Sequence, residues 1–233
     1  MKLAIMQPYF FPYIGYFQLI NSVDEFVIYD NIQYSKKGWI NRNRILVNQK
    51  DEYISIPLKK DSDYLNVNQR FLADTWLVER KKILNKIVES YRKAPQFEPA
   101  YALIEKCLMI DETNLFDFIH HSLKYTLQYI SISSNIIVSS TIDIDHQLKS
   151  EEKVLAICKA KNTFTYINPI GGIELYSKER FKLNGINLQF QKSNPINYSQ
   201  YKNEFVPCLS ILDVLMFNTK EEVKIFLNDY QLL

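Results

Sequence analysis

The chain has 233 residues, 47% of them hydrophobic, which is ample for a sizeable core and excludes a disordered or fibrous protein. Its 28 lysines and arginines stand against 26 aspartates and glutamates, a net charge of only +2. No global field therefore argues for nucleic acid or an anionic membrane, and any recognition through charge must be local.

Lys2 precedes an apolar stretch, as in a secretion signal, but Pro8 and Pro12 break it, Gln7 and Gln18 interrupt it, and no small-residue cleavage site follows. No apolar run approaches the roughly 18 residues of a spanning helix. Cys107, Cys158 and Cys208 are far apart and lack CxxC spacing, which favours a reducing compartment and argues against structural zinc. The expectation is a cytoplasmic protein with no membrane insertion and no bound nucleic acid.

In chain order, residues 2–6 (KLAIM) read as a short buried strand, "QPYFFP" as a strand-to-helix loop and residues 13–21 as a helix starting after Pro12. Residues 25–29 (EFVIY) form a second strand. The polar, basic and aromatic "DNIQYSKKGWINRNR" follows as a long loop or irregular hairpin, and "RILVN" and "EYISIPL" make a hairpin around "QKDE". A helical region spans about 74 to 130; within it Trp76, Ile83, Ile87 and Tyr91 recur at helical spacing, and "RKAPQFEPAY" marks a break. Strands at 135–138, 164–167 and 187–190 then alternate with helices in "SEEKVLAICKAKN" and "SKERFKLNG". The end, "LSILDVLMF" and "TKEEVKIFLNDY", is helical, with Ser210/Asp213 and Thr219/Glu222 spaced as capping boxes.

This alternation predicts one α/β domain over 1–233. It is Rossmann-like, with a mainly parallel sheet, helices on both faces, an inserted β-hairpin and a central helical insertion. Ligands of open α/β sheets bind beyond the carboxyl ends of the strands. The segments following the five strands are "QPYFFP", "DNIQYSKKGW", "SSTIDID", "PIGG" and "QKSNP", and they hold most of the unusual polar and glycine residues.

Candidate site residues come from these segments. Gln7 offers a carboxamide to a sugar or base edge, or ties down its own loop. Gly15 admits a ligand near the helix start, or relieves helix–sheet packing. In "SKKGWINRNR", Lys36, Lys37, Arg42 and Arg44 are interleaved with Trp39, Asn41 and Asn43. That pattern suits a pyrophosphate clamp with a stacking face, or else a solvated basic turn. Asp30 and Gln33 precede the cluster; Asp30 is placed to be a general base or to fix Arg42. Gly171 and Gly172 bring backbone N–H groups to a phosphate, or simply make a turn. His146 with Asp143 and Asp145 lacks a second histidine at ligand spacing, so no metal site is expected. His120 and His121 lie mid-helix. No cofactor can be assigned.

Two resemblances follow. "PYIGY" occupies the place of the HxGH-type signature of nucleotidylyltransferases and pantothenate synthetase, with Tyr13 and Tyr16 where that signature has histidines; "SST" at 139–141 is similar to another of their segments. More extensively, "QPYFFPYIGYFQLI", "DEFVIYDNIQYSKKGWINRNRI", "YRKAP", "YINPIGG" and "LSILD", in that order, resemble the WbqC-like family found among bacterial O-antigen and polysaccharide gene sets. A histidine expected in the helix before "YRKAP" is replaced by "RKKIL". The resemblance implies a part in making or modifying surface sugars.

Together these readings predict a transferase acting on a nucleotide-linked amino or hydroxy sugar, with an acyl or aminoacyl donor. Asp30 and Lys37 would be catalytic, and Gln7, Tyr16, Gln33, Lys36, Trp39, Asn41, Arg42, Asn43, Gly171 and Gly172 would bind substrate. A nucleotidylyltransferase with substituted signature residues, and a non-catalytic binding or scaffold protein of the same pathway, are the alternatives.

Overall fold

The computed structural model describes residues 1–202 and 204–233. Among these described residues, eight strands and eight α-helices follow one another as β1 (Lys2–Met6), α1 (Ile14–Asn21), β2 (Glu25–Ile28), β3 (Arg42–Val47), β4 (Lys50–Ser55), α2 (Trp76–Tyr91), α3 (Phe97–Leu108), α4 (Leu115–Tyr129), β5 (Asn135–Val138), α5 (Ser150–Ala160), β6 (Thr165–Pro169), α6 (Lys178–Leu183), β7 (Asn187–Ser193), α7 (Ile211–Phe217), α8 (Lys220–Phe226) and β8 (Tyr230–Leu232). The main sheet has the order β5-β2-β1-β6-β7-β8. Its first five members are parallel, and β8 runs antiparallel to β7. This is a Rossmann-like α/β fold with a separate antiparallel hairpin, β3-β4.

Side chains alternate across the sheet, as the pleat requires. Leu3, Ile5 and Val27 face one core, built with Val154, Ile157, Cys158 and Phe181 of α5 and α6. Ala4, Phe26 and Ile28 face the other, built with α1, the hairpin, α2–α4 and α7. The chain steps outward from β1 to β2 to β5, then crosses to the far side of β1 to make β6. At this switch point β1 and β6 register over only two residue pairs, Lys2↔Thr165 and Leu3↔Tyr166, whereas β1 and β2 register over four. The carboxyl ends of β1 and β6 therefore part. No helix among the described residues is long and apolar enough to cross a membrane.

Three local expectations are corrected. The hairpin turns at Asn48 and Gln49, both left-handed at φ 48° and 69°, so Lys50, Asp51 and Glu52 belong to the strand and not to a "QKDE" turn; asparagine tolerates that conformation, and the tight turn matches strand twist. Thr219 and Glu222 form a complete capping box, but Ser210 caps α7 alone, because Asp213 turns inward to be buried. Finally, α8 ends at Phe226 and the chain returns as the edge strand β8, three residues too short to leave a periodic signal.

Candidate functional site

The loop after β1 is held from three sides. The Phe10 N–H donates to the Ile40 carbonyl at 3.0 Å. The Asn43 amide donates to the Phe10 and Phe11 carbonyls at 3.1 and 2.8 Å, and the Ser210 hydroxyl donates to Phe11 O at 2.7 Å. Phe11 is thereby kept at φ 41°, a left-handed conformation costly for an aromatic residue and stable only because its surroundings fix it. The Tyr16 hydroxyl donates to Gln7 O at 2.9 Å. This bracing presents Met6, Gln7 and Tyr9 at the parted ends of β1 and β6.

Two clefts open there, on either side of a shared wall of Met6, Tyr9 and Pro169. The larger, about 890 Å3, lies beside the start of α5. It presents six carboxamides, Gln7, Asn31, Gln33, Asn66, Gln147 and Asn168, with the rings of Tyr29 and Tyr176. Lys149, Lys153 and His146 also line it, and no aspartate or glutamate does. Lys153 is only 3% exposed. Burial pulls its ammonium below the ordinary lysine range, against an upward push from Asp30 and Asp145. The Asn31 amide lies 3.0 Å from His146 Nδ1, and His146 Nε2 lies 3.0 Å from Ile142 O; both contacts are met by the Nε2–H tautomer.

The smaller cleft, about 510 Å3, is walled by Tyr9, Tyr13, Tyr16, Trp39 and Leu19, with Arg44, Ser193 and Cys208 contributing polar groups. Burial, and secondarily Cys208, pushes the Tyr13 phenol up to about 12. Trp39 stacks on Tyr53 with ring centroids 6.2 Å apart, and the Arg44 guanidinium lies 5.4 Å from the Trp39 ring. Arg44 is itself held by Asp51 at 2.9 Å. A Cβ on Gly15 would sit 2.7 Å from Ser193 Oγ, so glycine here allows α1 to approach β7 closely.

The structure brings Gln7, Gln33, Gly171 and Gly172 to the larger cleft, and Tyr16, Trp39 and Asn43 to the smaller. The two glycines differ. A Cβ on Gly172 would collide with the Asn168 amide, while one on Gly171 would meet nothing within 4 Å. Asp30, Lys36, Lys37, Asn41 and Arg42 line neither cleft. Asp30 is 2% exposed and accepts from Ser139 Oγ at 2.8 Å, Ser140 N at 2.9 Å and Asn68 Nδ2 at 2.7 Å. It thus ties together the loops after β2 and β5. Lys36 pairs on the surface with Asp63 at 2.6 Å and holds that carboxyl below its usual range. Asn41 accepts from the Tyr34 hydroxyl and donates to Ile56 O, both at 2.8 Å. Arg42 donates to the carbonyls of Gly38 and Lys37 at 3.0 and 2.7 Å and lies over Tyr53. Lys37 is exposed. Gln7, Asp30 and Lys37 do not meet in one cleft: Asp30 turns inward to Ser139, Ser140 and Asn68, and Lys37 is exposed on the loop that Arg42 closes.

Lys149, Lys153, Asn31 and Tyr176 escaped sequence reasoning. Lys153 left a signal, since it falls on the same helical stripe as Val154, Ile157 and Cys158, all buried. A lysine within an apolar stripe is out of place unless its charge has a use.

The twin clefts open at the switch point of the parallel sheet of a Rossmann-like α/β protein, the place where open α/β sheets bind ligands. Residues 7–225 match the WbqC-like protein family, and the chain belongs to that family. It is 29% identical over 230 residues, 97% of both chains, to the uncharacterized protein Rv1507c of Mycobacterium tuberculosis. No solved structure matches.

Proposed function

We propose that the protein is a transferase that modifies a nucleotide-linked amino or hydroxy sugar, by acyl or aminoacyl transfer, during synthesis of a bacterial surface polysaccharide such as O-antigen. The observation that carries this reading is the pairing of the clefts. The larger offers lysines without opposing carboxylates, and carboxamides that donate to and accept from hydroxyls and base edges. The smaller offers an aromatic, mostly apolar wall with Arg44 alongside, suited to the apolar part of a group donor. The two clefts adjoin along Met6, Tyr9 and Pro169, and a two-substrate transfer needs its groups held close. In this reading Asp30 is a positioning residue. Its oxygens accept from Asn68 Nδ2 and Ser140 N and share the single Ser139 hydroxyl proton with Asn31 Oδ1, at 2.8 and 2.7 Å, which sets the Asn31 amide in the cleft wall.

The test is calorimetric titration of the purified protein with a panel of nucleotide sugars, followed by mass spectrometry of each sugar incubated with acyl and aminoacyl donors. Binding of one sugar together with a mass gain on it is the expected result. Binding without turnover would mark a non-catalytic carrier of the same pathway, and no binding across the panel would remove the reading. A second reading, nucleotidyl transfer, is favoured by the close approach of α1 at Gly15 beside the smaller cleft. It requires magnesium-dependent pyrophosphate release from a nucleoside triphosphate, and silence over all four triphosphates would dismiss it.

A further inference from the structure

Four charged side chains are buried among the described residues: Asp30, Arg70, Lys153 and Asp213. The two aspartates are fully partnered, and Arg70 keeps only its Nε without a partner. Asp30 accepts three hydrogen bonds, and Asp213 accepts three. Arg70 donates to two carbonyls and lies over the Tyr34 ring. Lys153 is different. Its ammonium carries three N–H donors, yet among the described residues it makes a single hydrogen bond, 3.3 Å to the His146 carbonyl, and no ion pair. The face of Tyr29 lies 4.9 Å away and stabilises a cation without accepting a conventional hydrogen bond, and Asp30 and Asp145 act on the ammonium without pairing with it. A buried charge with unfilled donors is costly unless something else fills them, and this one lies in the wall of the larger cleft.

The surroundings say what would fill them. Lys149, the N-cap residue of α5, lines the same cleft, so two cationic side chains face it from the start of one helix. The start of that 11-residue helix adds the positive end of its dipole. The acidic residues of its first turn are engaged elsewhere: Glu151 and Glu152 both pair with Arg180, at 2.9 and 3.3 Å. A single carboxylate would engage one lysine, whereas two cationic side chains on one cleft wall at the start of a helix match the several oxygens of a diphosphate. Carboxamides across the cleft remain for the hydroxyls or base edges that the diphosphate carries.

We infer that Lys153 is the anion seat of the larger cleft and, with Lys149 and the start of α5, holds the diphosphate of the substrate. The inference deepens the nucleotide-sugar reading and rests on it only for what that diphosphate is attached to. Lys153→Met keeps the length of the side chain and removes its charge and donors; Lys149→Met, at an exposed position, does the same without touching the core. Calorimetric titrations with inorganic pyrophosphate, UDP and uridine compare these variants with the unmodified protein.

Lys153→Met is expected to weaken pyrophosphate and UDP alike by about tenfold or more, the loss of one charge-assisted contact, while its melting temperature stays level or rises. Lys149→Met is expected to weaken both several-fold. If Lys153→Met fails to fold, Lys149→Met decides alone: unchanged affinity for both anions overturns the inference. Unaltered anion binding in folded Lys153→Met also overturns it, as does an unmodified protein that binds neither anion. Nucleotide-sugar binding that survives Lys153→Met removes the seat and leaves the transferase reading standing. Lysine-dependent pyrophosphate binding with no affinity for any nucleotide sugar leaves the seat and removes that reading.

Discussion

Asp213→Asn changes two atoms' chemistry and almost nothing of shape, and its effect follows from the three hydrogen bonds the carboxylate accepts. Oδ1 takes the Tyr91 hydroxyl at 2.8 Å; Oδ2 takes the Tyr198 hydroxyl and the Gln200 amide, both at 2.6 Å. The Tyr91 oxygen is also occupied, since it accepts the Leu46 N–H at 2.7 Å. An asparagine keeps one acceptor oxygen, best used on the Tyr198 and Gln200 side, and points its amide at Tyr91. There one donor meets another, and the Tyr91 hydroxyl proton loses its partner inside the core. An orphaned buried donor costs about 1–3 kcal/mol, and the two surviving bonds lose their charge assistance. The expected destabilisation is about 2–4 kcal/mol, a large share of the about 5–15 kcal/mol that holds a domain together. Urea unfolding followed by the fluorescence of Trp39 and Trp76 measures it, with Tyr198→Phe and the double variant closing a cycle. A neutral or more stable Asp213→Asn would refute the reasoning, because it would mean that freeing the carboxylate from burial outweighs all three bonds.

Arg42→Lys loses the fork that spans two loop carbonyls and its stacking on Tyr53, so stability should drop by about 1 kcal/mol with nucleotide-sugar affinity nearly unchanged. A tenfold affinity loss at constant melting temperature would instead put the guanidinium on the ligand. Gly172→Ala drives a methyl group into the Asn168 amide and should cost about 1–3 kcal/mol while weakening ligands of the larger cleft; a variant with ordinary melting and binding contradicts this. Burial, assisted by Lys124 and His121, lowers His120 to about 4. Between about pH 6.5 and 4 the unfolded chain therefore takes up a proton that the folded chain refuses. Stability is fully present above about pH 6.5 and is lost progressively on acidification toward pH 4. His120→Gln should flatten that slope in urea midpoints taken from pH 4.5 to 7, and an unchanged slope would acquit the imidazole.

The strands of the parallel sheet were legible because short apolar runs alternated with helical stripes, and their order placed the rim that Gln7 and the 168–172 turn occupy. The side chains of "SKKGWINRNR" were not legible in the same way. Charge and aromatic content describe Arg42 and Asn43 equally well as ligand contacts or as braces. Only tertiary structure shows Asn43 holding the Phe10 and Phe11 carbonyls and Arg42 closing its own loop. Lys153 failed in the opposite direction, since within "SEEKVLAICKAKN" a lysine reads as solvated until Val154, Ile157 and Cys158 are seen to share its buried face. Asp213 had the spacing of a capping residue, and what removed it from that duty was Tyr91, 122 positions away in sequence.

The two rungs that join β1 to β6 give the sheet a seam. On one side stand β5, β2 and β1, on the other β6, β7 and β8, and beyond Leu3 and Tyr166 the seam is open. A ligand touching Gln7 on one bank and Asn168 on the other acts as an added cross-tie at the place where the ladder stops. Its binding should therefore be felt along the backbone as well as in the cleft, with slower amide exchange at the free ends of both strands in its presence.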